Sequence, residues 1–262
     1  MSSYGKALVA WEDLENLLIE QQIPYTSLSS TSEVNTKEFI DKQVQHTNIK
    51  AFAIIGGDGT TSSIIQQLAE RNIPIAIFPA GSGNDSARMF QLTNNPSVFI
   101  TSLLKGSMAS IDLLNINGRY GIGSFSYTIA AIISLLSFKP FNGNLTIDGK
   151  VQNLNKVWLI ACGNTTSYGT GLNICPGALP TDGLLNITLL HNTGRMDVLF
   201  RLFPALLREG PVLKKCVTYI GGKEITIDTD RPIPAIIDGE IITSTPLHIT
   251  VHVNALRLIL TR

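Results

Sequence analysis

The sequence predicts a two-part chain of class α/β plus β, with a parallel α/β domain over residues 1–110 and a mainly antiparallel sandwich or barrel over residues 111–262. Three observations carry this. The apolar run Ala51 to Ile55 reads as a buried strand. It enters a glycine turn, Gly56-Gly57-Asp58-Gly59-Thr60-Thr61, and a helix follows whose Ile64, Ile65 and Leu68 are apolar at helical spacing. A second copy comes next: Ile73 to Phe78 as strand, Pro79 to Asp85 as turn, Ser86 to Leu92 as helix. In a β-α-β arrangement these two turns lie side by side at the carboxyl edge of a parallel sheet. After Leu104 the rhythm changes to short β-rich segments separated by Gly, Asn, Asp and Pro, as in antiparallel folds.

In chain order, Trp11, Leu14 and Leu18 recur at helical spacing and Ile23-Pro24 ends the segment, so the first element is a helix over 1–23. No strand is read before it, whereas a doubly wound sheet normally begins with one, so the first strand is expected to be missing. Pro24 to Leu28 reads as a short strand, 33–46 as a helix and 61–71 as the helix behind the first glycine turn. Beyond the boundary near residue 110, strands are expected at 110–116, 144–147, 156–161, 184–190, 216–220, 224–228, 247–253 and 255–260, with helical inserts near 126–138 and 196–209.

Composition bounds the function. Hydrophobic residues make up 44% and charged residues 15%, which excludes disorder, and formal net charge is zero, with no basic face for nucleic acid. Cys162, Cys175 and Cys216 are odd in number and widely spaced, indicating neither disulfide framework nor zinc knuckle and fitting a reducing cytoplasm. No signal peptide is read, and the longest apolar run, Ile129 to Phe138, is about half of a membrane span. The expected protein is cytoplasmic, with room for peripheral contact with a membrane; a homodimer stays open.

Glycines in the first turn permit positive φ and close approach of a ligand, and the helix start offers unpaired N–H groups and a positive dipole end, a place for phosphate. A tight turn without ligand is the competing reading. Asp58 favours the ligand, because a carboxylate beside a phosphate cradle repels it unless a cation such as Mg lies between.

Four segments in order, Gly56-Gly57-Asp58-Gly59-Thr60, Pro79 to Arg88, Pro176 to Leu185 and Asp238-Gly239-Glu240, resemble the signature of the diacylglycerol kinase catalytic-domain family, and more narrowly its soluble bacterial lipid kinases. The resemblance spans nearly the whole chain. The first motif alone is shared with NAD kinases; the later ones favour the lipid kinases. It implies a Rossmann-like nucleotide domain, a β-sandwich domain contributing lipid-site and catalytic residues, and a cleft between them in which the ATP γ-phosphoryl passes to a lipid hydroxyl at a membrane surface, with diacylglycerol the first-choice acceptor. That reaction asks mainly for positioning and charge stabilisation.

Carried over by position, Gly56, Gly57, Gly59, Thr60, Thr61, Ser62 and Ser63 would hold ATP phosphates with Gly81, Ser82 and Asn84, and Asp58 and Asp85 would organise Mg-ATP. Asp182, with the main-chain carbonyls of Leu179 and Leu184, would form a structural Mg site; a plain Asp-Gly turn is the alternative. Asp238 and Glu240 are ranked nearly equal as the general base. In an extended segment they face one side, and close like charges raise a pKa; an acidic surface turn is the alternative. The chain departs from the family where Asn and Glu often follow the first motif, having Ser62 and Ser63, and where an N-terminal Asn-Pro-x-Ser-Gly stretch is expected, of which only Ser3 to Lys6 resembles the end. These departures motivate a second reading, a nucleotide- or lipid-binding homologue with impaired catalysis; an NAD kinase-like enzyme is a third. His248 and His252 read as the wet face of a half-buried strand, the Met196–Leu207 helix as packing, and Tyr127–Phe141 as core rather than an acyl-chain surface.

Overall fold

The structure, a computed structural model, describes residues 3–30, 32–46, 48–122, 124–126, 139–168, 172–198, 200, 215–237 and 240–262. The chain forms two compact units, one of residues 1–111 with 254–262, the other of residues 112–253.

In the first unit, helix α1 (Ser3–Glu20) buries Leu14 and Leu18 in one apolar cluster with Phe78, Phe99 and Ile100. Its end is a Schellman turn: Gln22 takes a left-handed φ of 54°, and the Ile23 N–H reaches back to the Leu18 carbonyl at 2.9 Å. The strand expected at 24–28 does not form. Tyr25 instead lies edge-on to Trp11, with ring centroids 5.6 Å apart, and donates its hydroxyl to Glu15 Oε1 at 2.6 Å, so the segment is held on the helix rather than by a ladder.

Helix α2 (Glu33–Val44) starts at Ser32, whose hydroxyl accepts the Asn35 N–H. Strands β1 (Phe52–Gly56) and β2 (Pro74–Pro79) pair in parallel from Phe52↔Ile75 to Gly56↔Pro79, joined by helix α3 (Asp58–Leu68). Ile75, Ala76, Ile77 and Phe78 are all buried, the pattern of a central parallel strand. After helix α4 (Asp85–Met89) comes α5 (Pro96–Lys105), in a stretch to which the sequence reading assigns no element. Its signal is Asn95-Pro96: the Asn95 side chain accepts the N–H groups of Ser97 and Val98, and proline occupies the first turn.

The free edge of β2 takes the end of the last strand, β15 (Leu247–Ile259), through Arg257↔Pro74 and Leu258↔Ile75. Residues 254–262 therefore fold with the first unit, whereas the sequence reading leaves them with the second. That reading also breaks this stretch into two strands at Asn254; the chain runs through Asn254 with a φ of 54° and continues as one.

The second unit is antiparallel. Its spine is β7 (Lys150–Gly163), which pairs with β6 (Phe141–Ile147) along its first half and with β10 (Leu185–His191) and β5 (Ser124–Ser126) along its second. Strand β11 (Val217–Gly222) adds to β10, β12 (Glu224–Thr229) lies between β6 and the start of β15, and the hairpin β13 (Pro234–Ile237) and β14 (Glu240–Ser244) joins β5. Alternation places Ile225, Ile227, Leu247 and Ile249 in the core with Phe141, Leu145 and Ile187, and leaves His248 exposed.

Of the expected helical inserts, residues 127–138 lie outside the described residues, as does most of 196–209. Only the single turn Arg195–Asp197 and its continuation through Val198 are seen, with Phe200 beyond. Met196 and Phe200 are 64% and 70% exposed, and Val198 turns inward; Leu199, Phe203 and Leu206 of the expected face lie outside the described residues.

Burial pushes the Cys162 thiol well above its ordinary value and Cys175 up to about 12. Deprotonation is thus disfavoured in the folded chain only, so the thiols' contribution to stability is complete below the ordinary value of 9.0 and is lost as pH rises from there toward 12. Native protein is expected to give one thiol, the half-buried Cys216, to a disulfide reagent near pH 8, and all three after denaturation. Reaction of a second thiol in native protein would contradict this burial.

Candidate nucleotide site and the turns that build it

The first turn is tighter than its sequence suggests. Gly57 leaves β1 in an extended conformation, and the Thr61 N–H already bonds the Gly57 carbonyl at 3.0 Å, so helix α3 begins at Asp58 rather than near residue 61. Asp58, Gly59 and Thr60 thereby become its first turn. No side chain caps this end, and a side chain at Gly59 would meet open space. N–H groups at a helix start without a side-chain cap are a place where an anion can bind. Thr61 is buried, while Ser62 and Ser63 lie half-buried further along the helix, with the Ser62 carbonyl accepting from Gln66.

The second turn sits against the first. The Ala80 N–H donates to the Gly56 carbonyl at 2.9 Å, extending the β1–β2 register by one step. A Cβ on Gly81 would stand 2.4 Å from the Gly57 Cα, so only glycine allows the two backbones to meet. Asn84, at a φ of 55°, closes its own loop: its Oδ1 accepts the Gly81 N–H and its Nδ2 donates to the Gly81 carbonyl, both at 2.9 Å. Ser82 and Gly83 are left exposed at the tip.

Asp58 joins the two turns. Its Oδ2 accepts the Asp85 N–H at 3.1 Å and its Oδ1 the Ser86 N–H at 3.3 Å, capping α4. The sequence reading assigns this carboxylate to a cation. Here both oxygens bind amides, and each keeps a lone pair for a further partner. Asp85 forms an ion pair with Arg88 one turn along.

The Pro176–Leu185 segment belongs to the second unit. Asp182 Oδ1 accepts the Leu184 N–H at 2.9 Å, an Asx-turn, and Gly183 is left-handed with a φ of 70°. Asp112 was not singled out by the sequence. It is fully buried in strand β3 (Met108–Ile116), where its Oδ2 accepts the Gly183 N–H at 2.7 Å and its own N–H donates to the Pro180 carbonyl at 2.8 Å. Among the described residues no three His, Cys, Asp or Glu side chains gather as a metal-ligand cluster. The second oxygen of Asp182 with the carbonyls of 179 and 184 is a hard, all-oxygen donor set that fits Mg completed by water. Asp238 lies outside the described residues; Glu240 opens β14, its main chain opposite Ile237.

The Diacylglycerol kinase catalytic domain matches residues 1–116, and the YegS C-terminal NAD kinase beta sandwich-like domain matches residues 102–260. The chain belongs to the diacylglycerol kinase-like family of lipid kinases. Two strains of Mycobacterium tuberculosis carry a diacylglycerol kinase 32% identical to this lipid kinase over 237 residues, or 80% of this chain and 76% of the relative. A crystal structure of a diacylglycerol kinase from Bacillus anthracis shares the fold, with a TM-score of 0.74 over 89% of this chain and 84% of that one at 20% identity. The kinase thus has a nucleotide-type α/β unit and a β-sandwich-like unit, the fold class that its sequence predicts.

Because Asp58 caps α4, its removal acts on the ligand-free kinase. Asp58→Ala is expected to lower the unfolding free energy by about 1–2 kcal/mol without nucleotide, as loss of a helix cap does. Denaturant unfolding of the apo protein checks this. Unchanged or raised apo stability would mean that the carboxylate serves ligand alone.

Proposed function

We propose that the chain transfers the γ-phosphoryl group of Mg-ATP to the hydroxyl of a membrane lipid, diacylglycerol first, giving phosphatidic acid. The observation that carries this reading is the fused pair of glycine turns, with the uncapped start of α3 held against Gly81 in a member of a lipid kinase family.

The amides of Asp58 to Thr60 bind phosphate oxygens, and the hydroxyl of Ser82 adds a contact from the second turn. Asp58 and Asp85 hold Mg, which when bound neutralises charge on the β- and γ-phosphates. Asp182 with the carbonyls of Leu179 and Leu184 holds a second, structural Mg. Asp238 or Glu240 takes the proton from the lipid hydroxyl as its oxygen bonds to the γ-phosphorus and ADP leaves. Residues 1–110 supply the nucleotide turns and residues 111–262 the base and the lipid contacts. No described helix is long and apolar enough to cross a membrane, so the lipid is met at the bilayer surface, from the cytoplasmic side in this reading.

The test is transfer of labelled γ-phosphate to diacylglycerol, sphingosine, a polyprenol and NAD, the lipids in mixed micelles, with Mg or with chelator. Expected is Mg-dependent labelling of diacylglycerol, reduced about 10²- to 10⁴-fold by whichever of Asp238→Ala and Glu240→Ala removes the base. Labelling of NAD alone, or none by folded protein that binds ATP, would contradict the proposal.

A further inference from the structure

We infer that a small cavity in the second unit, between β7 and the β10–β11 pair, is a binding site for one neutral sugar ring or cyclic polyol. The ring arrives as a free molecule or as the headgroup of a glycolipid. None of the lining residues belongs to the turns and carboxylates given above to nucleotide, Mg or base, so the site stands independently of the phosphoryl-transfer reading.

The cavity is built by an irregularity in β7 that both neighbouring strands register. Against β6, three steps along β7 from Leu154 to Val157 match two from Gly143 to Phe141. Against β10, two steps from Val157 to Leu159 match the single step from His191 to Leu190. Lys156 takes up extra length with a φ of 49°. Its N–H donates to Asn142 Oδ1 at 3.0 Å, and its carbonyl accepts the Asn192 N–H at 3.2 Å. A bulge of this kind bends its strand and re-aims the side chains on either side. Asn192, itself left-handed with a φ of 50°, follows the last paired residue, and among the described residues β10 pairs with nothing in β7 before Val157. Residues 152–155 therefore have β6 on one side and, toward β10 and β11, an opening of about 170 Å³.

The lining selects the ligand. Leu154 and Leu189, both buried in the sandwich core, form the floor. The rim carries the carboxamides of Gln152, Asn153, Asn155 and Asn192, with His191 and Thr218. Two bonds orient the imidazole: Asn192 Nδ2 can only donate, so His191 Nδ1 accepts at 2.8 Å, and Nε2 donates to Thr218 Oγ1 at 3.0 Å. The Thr218 hydroxyl thereby keeps its own hydrogen for a ligand. Each carboxamide presents a donor beside an acceptor, the same pair that a hydroxyl offers in return. Among the described residues no Asp, Glu, Lys or Arg lines the cavity, so an ion would find no countercharge there. An aliphatic chain would leave the rim unpaired, and a planar base would have only the His191 ring to stack on. A cyclic polyol satisfies both surfaces, with its C–H face on the leucines and its hydroxyls on the rim. The volume sets the size at one six-membered ring, close to the ~150 Å³ of an engineered cavity that takes benzene.

The experiment is amide chemical-shift mapping of the isotopically labelled full chain. The probes are methyl β-glucopyranoside and myo-inositol, glucuronate as a charged counterpart, and phosphatidylcholine vesicles with or without glucosylceramide. Expected are saturable shifts at residues 152–155, His191 and Thr218, with the β12 amides unmoved and a dissociation constant on the order of a millimolar for a neutral probe. Glucuronate is expected to bind at least about 10-fold more weakly. Thr218→Val, which keeps the shape and loses the hydroxyl, and Gln152→Ala are each expected to weaken binding about 5- to 10-fold. Gln152 is exposed, so its variant decides if Thr218→Val does not fold. Perturbation by glucosylceramide vesicles and not by plain ones upholds the site and assigns the ring to a headgroup; saturable shifts with the free probes alone uphold it for a soluble sugar. Absence of saturable shifts at these amides with every neutral probe and with the glycolipid, glucuronate binding as tightly as the neutral ring, or affinity unchanged in both variants overturns the proposal.

Discussion

Backbone meets backbone at Gly57 and Gly81, and most of the first unit is arranged to let that happen. Parallel pairing of β1 with β2 brings the two turns to the same sheet edge, and the Ala80 to Gly56 hydrogen bond carries the register one residue past the strands. From there each neighbouring residue type has a local reason. Asn84 is the residue that both adopts a left-handed φ and satisfies the Gly81 peptide from its side chain. Gly83 leaves room for Asp58, whose Oδ2 would lie 2.8 Å from a Cβ there. As the phosphate cradle proposed above, these turns would meet a ligand with their geometry already in place, as electrostatic stabilisation of a transferring phosphoryl group requires.

Carboxylates serve as turn-holders throughout the molecule. Asp58 caps α4, Asp182 closes an Asx-turn, and Asp112 anchors that same turn from the core. Asp148, in the β6–β7 turn, accepts the N–H groups of Glu224 and Lys223, which holds its carboxyl below the usual carboxylate range. In each case an acidic side chain replaces the ladder hydrogen bonds that a turn forfeits. For Asp58 and Asp182 this does not compete with a role toward a cation; it orients the oxygens that such a role would use.

The glycine turns were legible in the sequence because their requirement is local: an apolar strand, glycines, and a periodic helix within a short window. The start of α3 was misplaced because Asp58-Gly59-Thr60 has turn composition; the bond from the Thr61 N–H to the Gly57 carbonyl, not propensity, makes it helical. Asp112 was invisible, as its partner lies 71 residues ahead and nothing in Ile111-Asp112-Leu113 marks a carboxylate that points at another loop. The tail was misassigned for a similar reason, since Asn254 reads as a break although β15 passes through it to β2. Tyr25 shows the converse: a segment of β-type composition joins no ladder and settles on a helix through one hydroxyl and one ring contact.

On the function proposed above, the two glycine turns form one phosphate-binding surface. The measurement that tests it most directly is amide chemical-shift mapping of the isotopically labelled chain titrated with Mg-ATP, and with adenosine as control. The largest ATP-specific shifts are predicted at the amides of Gly57 to Thr60 and of Gly81 to Ser82 together, with none of them moved by adenosine. Saturable ATP binding that leaves either set of amides unshifted would contradict the claim.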